Sequence, residues 1–216
     1  MKGALVGSSQ LKFMTRDRLF VDSDVEIVTF SYPGATAARL REKIHRLHLA
    51  VDWIVMYIGG NDIQDGKSAA AVLREVSDTV EVAKGYAEHI FLYKLMPQTR
   101  RPELSGTIQG YNAMLRTIPA VRAGDATVLS IDHKIFTRNK EVKEGMLSRD
   151  GYHISTGRGL SCLAGILRTA LVKRYGPWLK APGPRRGIVL KPMESCEECR
   201  AKGHPTSACR PVRSPW

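Results

Sequence analysis

The chain has 216 residues, of which 43% are hydrophobic and 25% charged, and these are ordinary proportions for a globular protein. A chain of this length can bury one good core and has some length left for an appendage. No apolar run approaches the roughly 18 residues that a membrane helix needs, so we expect no membrane span. The apolar run after Met1 is too short for the core of a signal peptide, and we expect an intracellular protein.

The charge of the chain is unusual. The formal net charge is +12, which favours a polyanionic partner such as nucleic acid. The excess is uneven, because residues 173–216 carry ten Lys or Arg against three Glu, a net charge of +7. We therefore expect the C-terminal tail to contact nucleic acid.

Apolar runs rich in β-branched residues predict five strands, at residues 2–6, 25–30, 53–58, 90–95 and 127–131. Apolar residues at helical spacing predict helices between them, at residues 35–47, 67–87 and 105–121. A short helix through Leu11 should follow the first strand. A long loop should run to Arg149, and a last helix should follow Ser155, which is a plausible N-cap.

The alternation of strands and helices predicts an α/β domain with a five-stranded parallel sheet that helices cover on both sides. Sites in such domains lie beyond the carboxyl ends of the strands. Ser9 follows the first strand, Gly34 the second and Asn61 the third, while Asp150 and His153 follow the fifth. These polar or glycine-bearing segments should therefore meet at one edge of the sheet.

The spacing of Asp150 and His153 suits acid–base chemistry, since a carboxylate can orient an imidazole ring and stabilise its protonated form. A nucleophile is available in Ser8 or Ser9, in the turn after the first strand. Taken singly, each of these segments is more typical of an ordinary turn or loop. Their common order and common edge favour catalysis.

In order and spacing, four segments of residues 1–175 resemble those of the SGNH (GDSL-type) serine hydrolases. They are Gly7-Ser8-Ser9, Gly34, Gly59-Gly60-Asn61-Asp62 and Asp150-Gly151-Tyr152-His153. The resemblance implies a three-layer, flavodoxin-like domain. It also implies a serine esterase or acetylesterase that hydrolyses a small acyl ester without a catalytic cofactor. Asp62 is expected to fix a loop rather than to catalyse.

The same resemblance implies the roles of the site residues. Ser9 would be the nucleophile, His153 the general base and Asp150 the residue that orients His153. The oxyanion hole would consist of the backbone N–H groups of Ser9 and Gly34 and the side-chain amide of Asn61. One departure is Ser8, which stands where the family has Asp. We expect its hydroxyl to bond locally to the backbone, with looser turn geometry and lower efficiency.

The tail changes in composition. Residues 176–194 are predicted to form a basic linker rich in Pro and Gly, and residues 195–216 a zinc knuckle with its tail. The spacing C-x2-C-x4-H-x4-C predicts one structural Zn²⁺. Its ligands are Cys196, Cys199, His204 and Cys209.

The knuckle resembles the retroviral CCHC type, which implies binding of RNA or single-stranded DNA. Basic side chains of the tail are expected to contact phosphates, namely Arg185, Arg186, Lys191, Arg200, Lys202, Arg210 and Arg213. Glu197 stands where an aromatic residue is usual, so we expect weak, sequence-tolerant binding. A module that binds zinc and contacts protein is the alternative.

Together, the two domains resemble parts of retrotransposon ORF1 and Gag-like proteins. The first hypothesis is therefore an esterase that its tail tethers to nucleic acid. The second is a degenerate hydrolase fold that serves as a nucleic-acid-binding assembly protein, and a third is a chaperone-like component of a nucleoprotein particle.

Overall fold

The computed structural model describes residues 1–20, 25–131, 136–138 and 141–176. Five parallel strands form one sheet in the order β2-β1-β3-β4-β5. They are β1 (Lys2–Gly7), β2 (Glu26–Ser31), β3 (Val51–Tyr57), β4 (Ala87–Tyr93) and β5 (Ala126–Leu129). The α/β class, the parallel sheet and the number of its strands are confirmed.

Helices connect these strands. They are α1 (Arg16–Leu19), α2 (Ala37–Leu47), α3 (Gly60–Gln64), α4 (Ala69–Lys84), α5 (Ser105–Met114), α6 (Pro119–Ala123) and α7 (Arg158–Tyr175). The connection from β1 to β2 runs one way along the sheet, and every later crossover runs the other way. Because such crossovers are right-handed, α1 lies on one face and α2, α4 and α5 lie on the other. Helix α7 contacts α1 and therefore covers the same face as α1.

The sheet core comes from the central strands. From Trp53 onward, β3 is buried on both faces, as expected for a strand between two helical layers. Helix α2 buries Leu40 and Ile44, and α4 buries Val72 and Val76 at helical spacing. The direction of the connections changes between β1 and β3, so the crevice for a ligand lies beyond the carboxyl ends of these two strands.

The predicted helix over residues 105–121 is wrong in its continuity. Helix α5 ends at Met114, a single 3₁₀ turn covers Leu115–Thr117, and α6 begins at Pro119. Ile118 between them is extended, with φ −56° and ψ 130°. A proline lacks the amide hydrogen and disfavours helical backbone at the preceding residue, so Pro119 starts a new helix.

Other boundaries also differ. Helix α4 begins at Ala69 rather than residue 67, because Ser68 caps it by accepting the Ala71 N–H at 3.3 Å. The N-cap residue of α7 is Gly157, not Ser155 as expected. The Ser155 hydroxyl nevertheless accepts the Gly159 N–H at 2.9 Å. The predicted long loop contains a short hairpin of β6 (Thr137–Arg138) and β7 (Glu141–Val142).

Candidate active site

Three side chains from opposite ends of the chain form one line of hydrogen bonds. Ser9 begins the 3₁₀ turn Ser9–Leu11 that follows β1, and His153 lies 144 residues later. Ser9 Oγ lies 2.9 Å from His153 Nε2, and His153 Nδ1 lies 2.5 Å from Asp150 Oδ2. With the proton on Nδ1 shared with the carboxylate, Nε2 is free to accept the Ser9 hydroxyl proton. This is the arrangement of a nucleophile, a base and an orienting acid.

The carboxylate of Asp150 is held by its own loop. Its Oδ1 accepts the N–H groups of Tyr152 and His153, each at 2.9 Å, and the Ser148 hydroxyl at 2.8 Å. Partial burial raises the pKa of Asp150, but hydrogen bonds from the His153 ring, these two N–H groups and Ser148 outweigh burial. The net result holds the pKa of Asp150 well below its ordinary value, so Asp150 is a carboxylate at neutral pH.

Ser8 is buried and makes no capping hydrogen bond with its side chain, so the local bond expected of its hydroxyl is absent from the turn. The Ser8 backbone holds the turn instead. Its N–H donates to the Tyr57 carbonyl at 3.4 Å, and its carbonyl accepts the Ser31 hydroxyl at 3.1 Å. The strands on both sides of β1 therefore fix the turn, and Ser9 rather than Ser8 contacts His153.

Gly34 lies in a tight turn after β2. The Ala35 N–H donates to the Tyr32 carbonyl at 3.1 Å, with Pro33 and Gly34 in the central positions. Gly34 has φ +71°, which this turn requires and which favours glycine. Within the part of the chain that the structure describes, the N–H groups of Gly34 and Ser9 have no hydrogen-bond partner. Both donors are available to a ligand.

Asn61 lies in the first turn of α3, directly after β3. Its Nδ2 donates to the Ala35 carbonyl at 2.8 Å, which ties it to the turn that contains Gly34. Its Oδ1 accepts the Tyr152 hydroxyl at 2.9 Å. One N–H of the amide remains, since a primary amide has two. The structure thus connects Asn61 both to the Gly34 turn and to the His153 loop.

Asp62 fixes this part of the site, as expected. Its side chain is fully buried and accepts the Ala37 N–H at 2.9 Å, at the start of α2. Lys67 forms an ion pair with Asp62 at 2.8 Å and with Glu75 at the same distance. The hydrogen bond to Asp62, followed by that to Glu75, raises the pKa of Lys67 well above its ordinary value. Lys67 therefore stays charged and neutralises the buried carboxylate.

A cavity of about 250 Å³ opens beside Ser9 and His153. Its apolar walls come from Phe13, Pro33, Ile154 and Leu160, with Lys12 also in the lining. Ser9 lines this cavity, whereas Gly34 and Asn61 do not. The cavity volume suits a short apolar group.

Sequence reasoning missed Gln10 and Tyr152, whose side chains join the segments of the site. One pattern could have pointed to them. Gln10 directly follows Gly7-Ser8-Ser9, and Tyr152 directly precedes His153 within Asp150-Gly151-Tyr152-His153.

The family of this chain follows from its sequence. Residues 8–156 match the GDSL-like lipase/acylhydrolase family. The chain belongs to this family. The match includes every predicted triad and oxyanion residue of this GDSL-like chain. No curated protein matches it in sequence.

Solved structures agree on the fold of this GDSL-like chain. A candidate platelet activating factor from Streptococcus pneumoniae has a TM-score of 0.66 at 22% identity, over 78% of this chain and 83% of its own. A lipase/acylhydrolase from Enterococcus faecalis has a TM-score of 0.64 at 17% identity, over 85% and 100%. A GDSL-like lipase from Bacteroides thetaiotaomicron has a TM-score of 0.63 at 15% identity, over 80% and 88%.

Other sequence predictions lie outside the described residues. The four zinc ligands and all seven basic residues assigned to nucleic acid fall beyond residue 176. Among the described residues, no group of three or more His, Cys, Asp or Glu side chains is arranged to hold a metal ion. None of the described helices combines the length and apolar character needed to cross a membrane.

Proposed function

We propose that this GDSL-like protein is a serine esterase that hydrolyses a small acyl ester, with Ser9, His153 and Asp150 as its triad. The observation that carries the proposal is the unbroken line of hydrogen bonds from Ser9 Oγ through His153 to Asp150. A surface serine without such a base is a weak nucleophile at neutral pH. Membership of the family supports the same class of reaction.

In the first half of the reaction, Ser9 Oγ attacks the ester carbonyl carbon while His153 Nε2 takes the hydroxyl proton. The oxyanion that forms is stabilised by the N–H groups of Ser9 and Gly34 and by the second amide N–H of Asn61. The carbon–oxygen bond to the alcohol then breaks, and His153 returns the proton to the departing alkoxide. An acyl group remains on Ser9.

In the second half, a water molecule attacks the acyl carbon and gives its proton to His153 Nε2. The bond to Ser9 Oγ breaks, and Ser9 recovers the proton as the carboxylic acid leaves. Asp150 stays ionised throughout because its hydrogen bonds favour the carboxylate. The size and apolar lining of the cavity beside Ser9 support a short acyl group.

The test is hydrolysis of p-nitrophenyl acetate by the full chain, with Ser9→Ala and His153→Ala as variants. We expect turnover by the wild type and a fall to background in both variants, a loss of about 10³-fold or more. A folded wild type that is no faster than either variant would support the alternative, a degenerate hydrolase fold that serves as an assembly protein.

A second function is favoured by the tail. We propose that Cys196, Cys199, His204 and Cys209 bind one Zn²⁺ and that the basic tail then binds RNA or single-stranded DNA. The ligand spacing and the net charge of +7 over residues 173–216 support this. Free thiolates persist in reducing compartments, so we also propose an intracellular location.

Native mass spectrometry tests whether the chain binds zinc. Fluorescence anisotropy with a single-stranded oligonucleotide at several salt concentrations tests whether it binds nucleic acid. We expect one zinc per chain, lost in Cys196→Ser, and affinity that falls as salt rises. Zinc without oligonucleotide binding would favour the module that contacts protein. A protein that assembles into large particles only on nucleic acid would favour the nucleoprotein component.

A further inference from the structure

Gln10 is a buried amide directly beside the nucleophile. It lies in the 3₁₀ turn Ser9–Leu11, and only 4% of its surface is exposed. A buried primary amide is costly unless both its oxygen and its nitrogen find partners. The partners of Gln10 therefore show what the position is used for.

Both partners are backbone groups of the loop that carries the histidine. Gln10 Nε2 donates to the Tyr152 carbonyl at 3.2 Å, and Gln10 Oε1 accepts the Ile154 N–H at 2.9 Å. The orientation of the amide is fixed, since a flip would set oxygen against carbonyl and N–H against N–H. The side chain thus holds the residues immediately before and after His153.

This contact differs in kind from the bond between Asp150 and His153. Asp150 belongs to the same loop, where its Oδ1 also accepts the Tyr152 and His153 N–H groups. It can orient the imidazole, but if the loop shifts, Asp150 shifts with it. Gln10 is covalently joined to Ser9, so its side chain fixes the loop relative to the nucleophile.

Further contacts connect the loop to other elements. The Thr99 N–H donates to the Gly151 carbonyl at 2.9 Å, and the Tyr152 hydroxyl bonds Asn61. Gly151 has φ +67°, and a Cβ there would lie 2.5 Å from Thr99 Oγ1, so the loop lies tightly against residue 99. These contacts hold the loop in the domain. The side chain of Gln10 joins backbone groups of the loop to the Ser9 turn.

We propose that Gln10 is a positioning residue of the reaction, which keeps His153 Nε2 within hydrogen-bond reach of Ser9 Oγ by holding the backbone on both sides of the histidine. The proposal rests on the proposed esterase function. Loss of the two hydrogen bonds lets the loop move from the serine, and a displacement of about 1 Å can cost about 10²-fold in rate.

Gln10→Met tests this, because methionine has a similar length and makes neither bond. A matched control exists in Asn112, another buried amide, 6% exposed. Asn112 holds the backbone N–H and carbonyl of Leu95, each at 2.8 Å, and Asn112→Leu removes two comparable bonds away from the triad. Thermal unfolding of both variants shows how far stability alone falls.

We expect Gln10→Met to lower kcat for p-nitrophenyl acetate by about 10- to 100-fold with KM changed less than about twofold. Asn112→Leu should unfold at a similarly lowered temperature and keep kcat within about twofold of wild type. If Gln10→Met retains kcat, or if both variants lose it equally, Gln10 is only a structural residue and the proposal is overturned.

Gln10→Glu adds a pH signature. A neutral carboxyl can donate to the Tyr152 carbonyl and accept from Ile154, whereas an ionised one cannot donate. At acidic pH we expect the kcat of this variant to approach that of the wild type at the same pH. As pH rises and the introduced carboxyl ionises, the kcat of the variant should fall, and the pH profile of the wild type should show no such fall. A pH profile parallel to that of the wild type would count against positioning.

Proton NMR separates failure of this proposal from failure of the esterase function. The Hε1 proton of His153, on the ring carbon bonded to Nε2, should give a resonance that disappears in His153→Ala and shifts in Ser9→Ala, because Nε2 lies 2.9 Å from Ser9 Oγ. If the wild type shows no Ser9-dependent turnover, the proposed esterase function is wrong. The resonance still reports whether the His153 ring contacts Ser9. A shift of this resonance in Gln10→Met towards its position in Ser9→Ala, and not in Asn112→Leu, supports positioning, and an unchanged resonance overturns it.

Discussion

The hydroxyl of Tyr152 donates a 2.9 Å hydrogen bond to Oδ1 of Asn61, although the two residues are 91 positions apart. Asn61 Nδ2 meanwhile donates to the Ala35 carbonyl. The amide therefore cannot flip without losing both bonds, and its remaining N–H keeps a fixed direction. The loop of the general base thus orients the side-chain donor proposed for the oxyanion.

Tyr152→Phe should lower kcat for p-nitrophenyl acetate by about tenfold, less than the roughly 10²–10³-fold cost of removing an oxyanion donor outright. Burial raises the pKa of Tyr152, so the wild-type hydroxyl stays protonated in any ordinary assay. The control is Tyr93→Phe, which removes a buried 2.6 Å bond to the Leu163 carbonyl. Equal losses of kcat in the two variants would refute the orienting role.

Asp150→Asn should lower kcat by about 10³- to 10⁴-fold, because the amide carries no charge to stabilise the imidazolium and its NH2 can donate to His153 Nδ1, which leaves the proton on Nε2. Asp78→Asn, at an exposed ion pair with Arg41, is the control and should retain kcat. If kcat falls less than about tenfold in Asp150→Asn, the hydrogen bond between His153 and Asp150 is not needed for the reaction.

Lys67→Met should destabilise the fold by about 3 kcal/mol, since it leaves the buried carboxylate of Asp62 without its counter-ion. Lys84→Met is a matched control, because Lys84 also pairs with two acids and has the same exposed side-chain fraction of 33%. Its partners Glu81 and Asp125 are exposed, so its loss should cost much less than the loss of Lys67. Urea unfolding measures both, and equal costs would contradict the account of Asp62.

His89 makes stability depend on pH. The side chain is buried, Nε2 bonds Thr127 Oγ1 at 2.8 Å, and Nδ1 has no hydrogen-bond partner among the described residues. Burial lowers the pKa of His89 to about 4; the charge of Arg174 acts in the same direction, and that of Asp125 opposes it. The folded protein therefore keeps His89 neutral where the unfolded chain already binds a proton.

As a result, the His89 contribution is fully present above about pH 6.5 and is lost as pH falls towards 4, by up to about 3 kcal/mol. Urea unfolding at about pH 7.5 and about pH 5 should show roughly two thirds of this loss in the wild type and a smaller loss in His89→Leu. His45→Leu, at an exposed histidine, is the control. An unchanged pH dependence in His89→Leu would show that other groups cause it.

The sequence predicted the sheet well, because each strand is a short apolar run between turn residues and the helices between the strands have apolar residues at helical spacing. It singled out Ser9, Asp150 and His153 because they lie inside motifs, and the structure brings their side chains within hydrogen-bond reach. It failed at Pro119, where helical periodicity continues through a residue that cannot continue a helix. Gln10 and Tyr152 stand next to motif residues, but their bonds join positions more than 90 residues apart, and no local pattern encodes which groups they contact.

The most direct test of the central claim is to map the residue that a fluorophosphonate modifies, by mass spectrometry of the full chain and its peptides. In this reaction Ser9 Oγ displaces fluoride from phosphorus while His153 takes the proton. We expect one adduct, on Ser9. It should still form in Ser8→Ala, should form much more slowly in His153→Ala, and should be absent from Ser9→Ala. An adduct that persists in Ser9→Ala, or a folded wild type that does not react, would contradict a nucleophilic Ser9.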